Sequence, residues 1–388
     1  MANLGVTRTV FVLAGVAAAL LFVAAAQLSY SDVRGAPYTV ALNPRGLAIN
    51  GTPTLLLSGD VHYARAEPDM QERVLAMLKA DGLNTVQTYA FWSVHESKPD
   101  AFDFGSPRAN VSAFLQRAAD AGLFVSMRIG PFICGEWSYG GIPAWINQIL
   151  DAGKGNIRAI GPWEGRMSSF VKRFFAEIEP FLAKNGGPIV LLQLENEDGP
   201  AEPTIPYVQY VYKLAESLGA SLPYLWCGVS CDKKGCDPMR QLPLMVPAFN
   251  GNDGATWAEQ TEAGAPRYPL MWTENEGWYH PWGSDPIDDG GVGLKSSADL
   301  MHATGRPSPS PTQHCDRDPK EVAFAVARWV ARGGAFMNYY MFFGGQHHGA
   351  SAAAGNLNHY AGEDAAVAAP VATLRMLVLT FLLVLQTA

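Results

Sequence analysis

Two carboxylates flanking an amide, Glu195-Asn196-Glu197, close the run Gly186-Gly187-Pro188-Ile189-Val190-Leu191-Leu192-Gln193-Leu194. A further carboxylate, Glu274, ends Leu270-Met271-Trp272-Thr273 in the same way, as an acid stopping an apolar run. Paired carboxyl groups are the equipment of glycoside hydrolysis. One protonates the leaving oxygen and the other attacks the anomeric carbon or activates water. In a reaction that retains configuration the two would stand about 5–5.5 Å apart. Asn196 could hydrogen-bond a sugar 2-hydroxyl, a bond that strengthens in the transition state. Trp137, Trp278 and Trp282 could offer ring faces to a sugar or fill core. Glu195, two residues before Glu197 on one strand, would share its face one layer deeper.

Distant acids meet only if the fold gathers their strand ends. A strand that stays apolar to its C-terminal end and then presents acids is how a (β/α)8 barrel displays catalytic groups. The elements around these runs fit that scheme. Met70, Val74, Met77 and Leu78 recur at helical spacing and lead through Gly82 to a strand at 84–89. The same helix-glycine-strand phrase returns with Phe114, Leu115, Ala118 and Ala119 before Gly122 and a strand at 123–129. It returns again with Phe170, Val171, Phe174, Phe175, Ile178 and Phe181 before Gly186, and with Val322, Phe324, Val326, Trp329 and Val330 before Gly333 and a strand at 335–341. Strands at 54–59, 223–227 and 270–274, a loosely placed one at 244–249 and a helix at 207–218 complete an α/β, (β/α)8 TIM barrel. Residues 29–37 read as a polar linker, and the Gly-, Ser- and Pro-rich stretch 284–319 as a long loop.

Each strand end carries groups a packed core would reject. They are Asp60, His62, Tyr63 and Arg65 after the first strand, and Tyr89, Trp92, His95 and Glu96 after the second. Arg128 and Cys134-Gly135-Glu136-Trp137 follow the third, and Asn338 and Tyr340 end the eighth. Polar groups gathered at one end of a barrel describe an active-site mouth.

Composition narrows the partners. Net charge is -8 with no basic run, which argues against nucleic acid. Charged residues are 16% and aromatics 11%, which suits a protein that stacks sugars and equally suits a large core. Residues 1–26, with Arg8 before an unbroken apolar run from Val10 to Ala26, read as a signal peptide or signal anchor. That sends the chain into the secretory route, to be secreted or delivered to a lysosomal or vacuolar compartment. Residues 27–349 form the catalytic domain, and 350–388 an Ala-rich, then apolar tail; either apolar terminus could attach to a membrane. Asn50-Gly51-Thr52 and Asn110-Val111-Ser112 are glycosylation acceptors by pattern. Of five cysteines, Cys227, Cys231 and Cys236 lie close enough for one local disulfide of undetermined pairing, or for part of a zinc site.

Seven blocks, in order, resemble the glycoside hydrolase family 35 β-galactosidases. They are Ser58-Gly59-Asp60-Val61-His62-Tyr63-Ala64-Arg65, Gln87-Thr88-Tyr89-Ala90-Phe91-Trp92, and Arg128-Ile129-Gly130-Pro131-Phe132-Ile133-Cys134-Gly135-Glu136-Trp137. Gly140-Gly141-Ile142-Pro143-Ala144-Trp145, the 186–199 run, Trp272-Thr273-Glu274 and Asn338-Tyr339-Tyr340-Met341 complete the set. The resemblance implies a retaining exo-β-galactosidase acting on β-galactoside-terminated oligosaccharides or glycoconjugates, with no cofactor and no metal. By the same resemblance Glu197 is the acid/base and Glu274 the nucleophile. Tyr89, Gly135 through its backbone, Glu136, Asn196 and Tyr340 are galactose contacts. Departures are Asp198 where the family has Tyr, a spacing that keeps Glu276 as an alternative nucleophile, and Gly344-Gly345-Gln346-His347-His348-Gly349. The β-rich C-terminal domains of the family have no counterpart in this chain.

Three other readings are distinguishable. Another β-linked sugar would use the same carboxylates. A non-catalytic galactose- or carbohydrate-binding surface protein would ignore Glu197→Gln. A metal-dependent hydrolase would draw on His62, His95, Glu96, His347 and His348, which lack a ligand spacing.

Overall fold

The computed structural model describes residues 28–43, 46–149, 158, 161–198, 204–228, 242–251, 254, 268–276 and 319–346. The expected leader, the 350–388 tail, the loop to 318, Trp278, Trp282, Cys231, Cys236, Cys315, His347 and His348 lie outside them.

The chain opens with three short strands, β1 (Val40–Asn43), β2 (Gly46–Ile49) and β3 (Thr52–Thr54), forming an antiparallel sheet. The β2–β3 turn is Asn50-Gly51 with φ of 48° and 78°, the pair of left-handed residues that a tight hairpin demands. Leu47 and Ile49 are buried in the main core.

Then come β4 (Leu56–Val61), α1 (Pro68–Ala80), β5 (Thr85–Tyr89), α2 (Trp92–His95), α3 (Val111–Asp120), β6 (Phe124–Gly130), α4 (Glu164–Ile178) and β7 (Ile189–Leu194). They are followed by α5 (Thr204–Ser217), β8 (Tyr224–Trp226), β9 (Met245–Pro247), β10 (Phe249–Gly251), β11 (Leu270–Glu276), α6 (Pro319–Ala331) and β12 (Gly334–Phe343). The parallel sheet runs β10-β11-β12-β4-β5-β6-β7-β8-β9. Its two ends are neighbours in sequence, separated only by Ala248. They form one barrel position broken after Pro247, whose missing N–H cannot extend a ladder. Eight positions therefore close a (β/α)8 barrel.

The helices pack where their apolar spacing directs. Val74 and Leu78 of α1, Phe114 and Leu115 of α3, and Phe170 and Phe174 of α4 are buried. Met77 and Phe324, assigned to such faces from spacing, are exposed. Strands buried on both faces read as continuous apolar runs, and β7 is buried throughout. The turn before it is tight: a Cβ on Gly187 would stand 2.1 Å from the Phe181 backbone carbon, so only glycine fits.

Candidate active site

One side of the mouth is built by β5, β6, β11 and β12. Glu274, on β11, is 4% exposed, and its Oε1 accepts a 2.5 Å bond from Arg128 Nη2 of β6. The Arg128 guanidinium is itself fixed, donating to the Ile133 carbonyl at 2.9 Å and lying 3.8 Å over the Tyr89 ring. Tyr89 closes β5 and directs its hydroxyl to Glu274 Oε1 at 3.4 Å. Burial pushes that phenol well above its ordinary range, so it remains a donor. Below it Gln87 donates to Asp60 at 3.2 Å and to the Thr273 carbonyl at 3.2 Å, while Asn338 Nδ2 donates to that same carbonyl at 3.0 Å. The Glu274 position is therefore clamped from three strands. Asp60 lies 3.3 Å from His62, and burial pushes its carboxyl up to about 7 against the opposing effects of Tyr89, Arg128 and Gln87.

The segment after β6 wraps over this group. Cys134, Gly135 and Glu136 have φ of 55°, 62° and 46°, three consecutive left-handed residues. A Cβ on Gly135 would lie 3.2 Å from the Tyr89 ring, so the backbone passes close over that side chain. Arg65 holds the segment by donating 2.9 Å bonds to the carbonyls of Gly135 and Glu136. Tyr340 of β12 donates to Glu136 Oε2 and stacks with Tyr89 at an interplanar angle of 10°.

The other side is the segment after β7. The strand ends at Leu194, and Glu195 and Glu197 both take left-handed backbone, φ 61° and 52°. The strand relation expected between them therefore does not hold. Glu195 is fully buried, accepting from Tyr207 Oη at 2.7 Å and from the backbone N–H of Asn196 at 3.0 Å. Burial pushes its carboxyl up, and Arg158, 3.6 Å away, draws it down. The Arg158 guanidinium also donates 2.8 Å bonds to the carbonyls of Asn196 and Glu197 and lies 3.5 Å over Phe132. Glu197 is half-buried, and its Oε1 accepts from Asn250 Nδ2 at 2.9 Å. The same nitrogen donates to Asn196 Oδ1 at 3.1 Å, and Thr273 Oγ1 donates to Asn250 Oδ1 at 2.7 Å. Asn250 thus bridges the two acid-bearing strand ends.

All seven residues singled out from sequence, Tyr89, Gly135, Glu136, Asn196, Glu197, Glu274 and Tyr340, meet at this one end of the barrel. Several others do not serve as read. Trp137 is 2% exposed, wedged between Phe91 and the Arg65 guanidinium with Nε1 donating to Ser93, so it fills core. His95 and Glu96 pair with Tyr63 and Trp92 beneath the helices rather than at the mouth. Asp198, which departs from the family pattern, is buried, with Oδ1 accepting from Trp226 Nε1 at 2.6 Å, and its carboxyl is pushed up to about 8 by burial and by Glu195. Cys227 is a free thiol, outside any disulfide. The Glu276 side chain lies outside the described residues. Arg158 and Asn250 escaped the sequence reading. Asn250 sits on a three-residue strand with no periodicity to mark it, re-aimed by a register shift between Phe249 and Asn250.

Comparison with known proteins agrees with this geometry. Residues 46–367 match the profile of Glycosyl hydrolases family 35. The chain is 29% identical over 316 residues to probable beta-galactosidase 2 of Dictyostelium discoideum, covering 80% of this chain and 36% of that protein. It is 32% identical over 315 residues to beta-galactosidase 8 of Arabidopsis thaliana, covering 79% and 32% respectively. The chain thus spans about a third of the length of these curated relatives. Among solved structures, the exo-beta-1,4-mannosidase Op5Man5 from Opitutaceae bacterium strain TAV5 superposes with a TM-score of 0.55 at 12% identity, over 84% of this chain and 60% of its own, and shares the fold. With a barrel whose β7 and β11 end in acids and a profile match over most of its length, the chain belongs to glycosyl hydrolases family 35.

Proposed function

We propose that this barrel is a retaining exo-β-galactosidase that releases terminal non-reducing β-D-galactosyl residues from oligosaccharides or glycoconjugates. The observation that carries the reading is the pair Glu197 and Glu274, on separate strand ends and tied together through Asn250 and Thr273. Glu274 attacks the anomeric carbon as Glu197 gives its proton to the leaving oxygen. The glycosidic C–O bond breaks and a galactosyl ester of Glu274 forms. Glu197, now a carboxylate, takes a proton from water, whose oxygen displaces Glu274 and returns the sugar with its β configuration.

The surroundings suit these tasks. A guanidinium charge faces the carboxylate that must attack, at 2.5 Å. Tyr89, the Gly135 backbone, Glu136, Asn196 and Tyr340 contact galactose. Asn196 Nδ2 is buried and has no hydrogen-bond partner among the described residues, leaving a donor for a sugar hydroxyl. The names of the two β-galactosidase relatives support galactose over other sugars.

The apolar run from Val10 to Ala26 supports entry to the secretory route, with secretion or lysosomal or vacuolar delivery, and either apolar terminus as a membrane attachment. Asn50, exposed at the β2–β3 turn, supports glycosylation there.

Aryl β-galactoside, β-glucoside and β-glucosaminide hydrolysis, followed by proton NMR of the first-formed anomer, tests the proposal. The expected outcome is preference for the galactoside with β-galactose appearing first. Preference for another sugar, or α-galactose appearing first, contradicts it.

A further inference from the structure

Asn250 stands between the two acid-bearing strand ends and bonds to both. It lies on β10, in the broken sixth barrel position, and the register shift beside Phe249 re-aims it. Gln193 Nε2 donates to the Glu195 carbonyl at 3.0 Å and to Asn196 Oδ1 at 3.1 Å, so the Asn250 atom that faces Asn196 Oδ1 is its nitrogen, and its Oδ1 faces Thr273 Oγ1 at 2.7 Å. The two N–H bonds of that nitrogen then have two acceptors, Glu197 Oε1 at 2.9 Å and Asn196 Oδ1 at 3.1 Å. Asn196 Oδ1 also receives Gln193 Nε2 at 3.1 Å. Two donors on one atom identify it as the oxygen, so the Asn196 amide must turn its nitrogen away. That nitrogen is the buried donor that has no partner among the described residues.

Resting on the reading of Glu197 as acid/base, we infer that Asn250 is a positioning residue that sets both the carboxyl of Glu197 and the amide of Asn196. An N–H aimed at Glu197 Oε1 leaves the transferable proton on Oε2, so one oxygen is reserved for holding the group and the other for the leaving oxygen. The second N–H orients Asn196 so that its own N–H bonds, rather than its carbonyl, face the sugar. The tie to Thr273 references both settings to the neighbouring residue, Glu274. One amide therefore aligns the acid/base, the hydroxyl-reading side chain and the nucleophile strand, by hydrogen bonds alone.

This separates substrates by what they demand. Methyl β-galactoside needs a proton on its leaving oxygen and carries a 2-hydroxyl. A 2,4-dinitrophenyl 2-deoxy-2-fluoro-β-galactoside needs no proton at its leaving group and has no 2-hydroxyl. It reports only on nucleophilic attack by Glu274. Asn250→Ala is expected to cut kcat/KM for the methyl galactoside about 100-fold, the scale of a misaligned general acid, and to slow inactivation by the fluoro sugar only a few-fold. Asn250→Asp, nearly isosteric and still able to accept from Thr273, is expected to show the same split, and serves if the alanine variant does not fold. Equal losses on both compounds would assign Asn250 a merely structural role. Wild-type kcat/KM on the methyl galactoside in either folded variant would exclude any role. Both results overturn the inference while leaving the proposed function intact. If wild-type protein neither hydrolyses the one nor is inactivated by the other, the galactosidase reading fails, and the inference with it.

Discussion

The two sides of the mouth are built differently. Around Glu274 the contacts are buried and charge-matched: a guanidinium at 2.5 Å, the Tyr89 hydroxyl and a backbone carbonyl held from two strands. Around Glu197 the carboxyl is half-buried, on left-handed backbone beyond the end of its strand, and held by the neutral amide of Asn250, with Arg158 holding the backbone carbonyls. A nucleophile must stay charged and keep one position, so strong electrostatic clamping serves it. An acid/base must gain and lose a proton each turnover, so a strong charge partner would lock it in one state. The difference in construction suits the proposed roles, Glu274 as nucleophile and Glu197 as acid/base.

Breaking the nucleophile side should have the largest effect. Glu274→Gly is expected to lower kcat on every substrate by on the order of 10⁵-fold, as removal of a catalytic nucleophile does. Steady-state assays with aryl galactosides check it, and a loss of only tenfold would move the nucleophile elsewhere. On the acid side, Glu197→Gln should cost a methyl galactoside about 10²–10⁴-fold in kcat/KM and a dinitrophenyl galactoside far less. A flat dependence on leaving group would argue against Glu197 as the proton donor.

Stability should sharpen the same contrast. Arg128 is wholly buried, and its replacement by Met strands the Glu274 carboxylate without its charge partner. Urea unfolding is expected to show a loss of about 3–5 kcal/mol. Asp198 should act more gently and in a pH-dependent way. Its carboxyl ordinarily titrates at 3.8 and here at about 8. Well below pH 3.8 it is protonated whether the chain is folded or not, and stability is unaffected. As pH rises toward 8 the unfolded chain ionises it and the folded one does not, so stability falls across that window. Asp198→Asn, neutral at every pH, should flatten that decline and be more stable than wild type at pH 8. Thermal melts from pH 5 to pH 8 measure it, and parallel curves for the two proteins would contradict the buried neutral acid.

Much of this was legible in the chain itself, for identifiable reasons. The barrel strands are buried on both faces, so they appear as apolar runs that stop at polar groups, acids after two of them, and the structure places them within a few residues of the expected bounds. Glu197 and Glu274 are visible because a carboxylate abruptly ending such a run has no packing explanation. The N-terminal sheet was not anticipated because Asn50-Gly51, a strong hairpin signal, carried weight as a glycosylation pattern instead. Asn250 was hidden because its strand is three residues long and follows Pro247, leaving no periodicity to read. The charge state of Asp198 and the burial of Trp137 depend on neighbours far away in sequence. Trp226 lies 28 residues from Asp198, a relation no local pattern carries.

The central claim is that Glu274 becomes covalently linked to the sugar. Incubation with a 2-deoxy-2-fluoro-β-galactoside, proteolysis and mass spectrometry of the labelled peptide test it directly. One 2-deoxy-2-fluorogalactosyl ester, on Glu274, is expected to form as activity is lost. A label on Glu276, on any other side chain, or on none would contradict it.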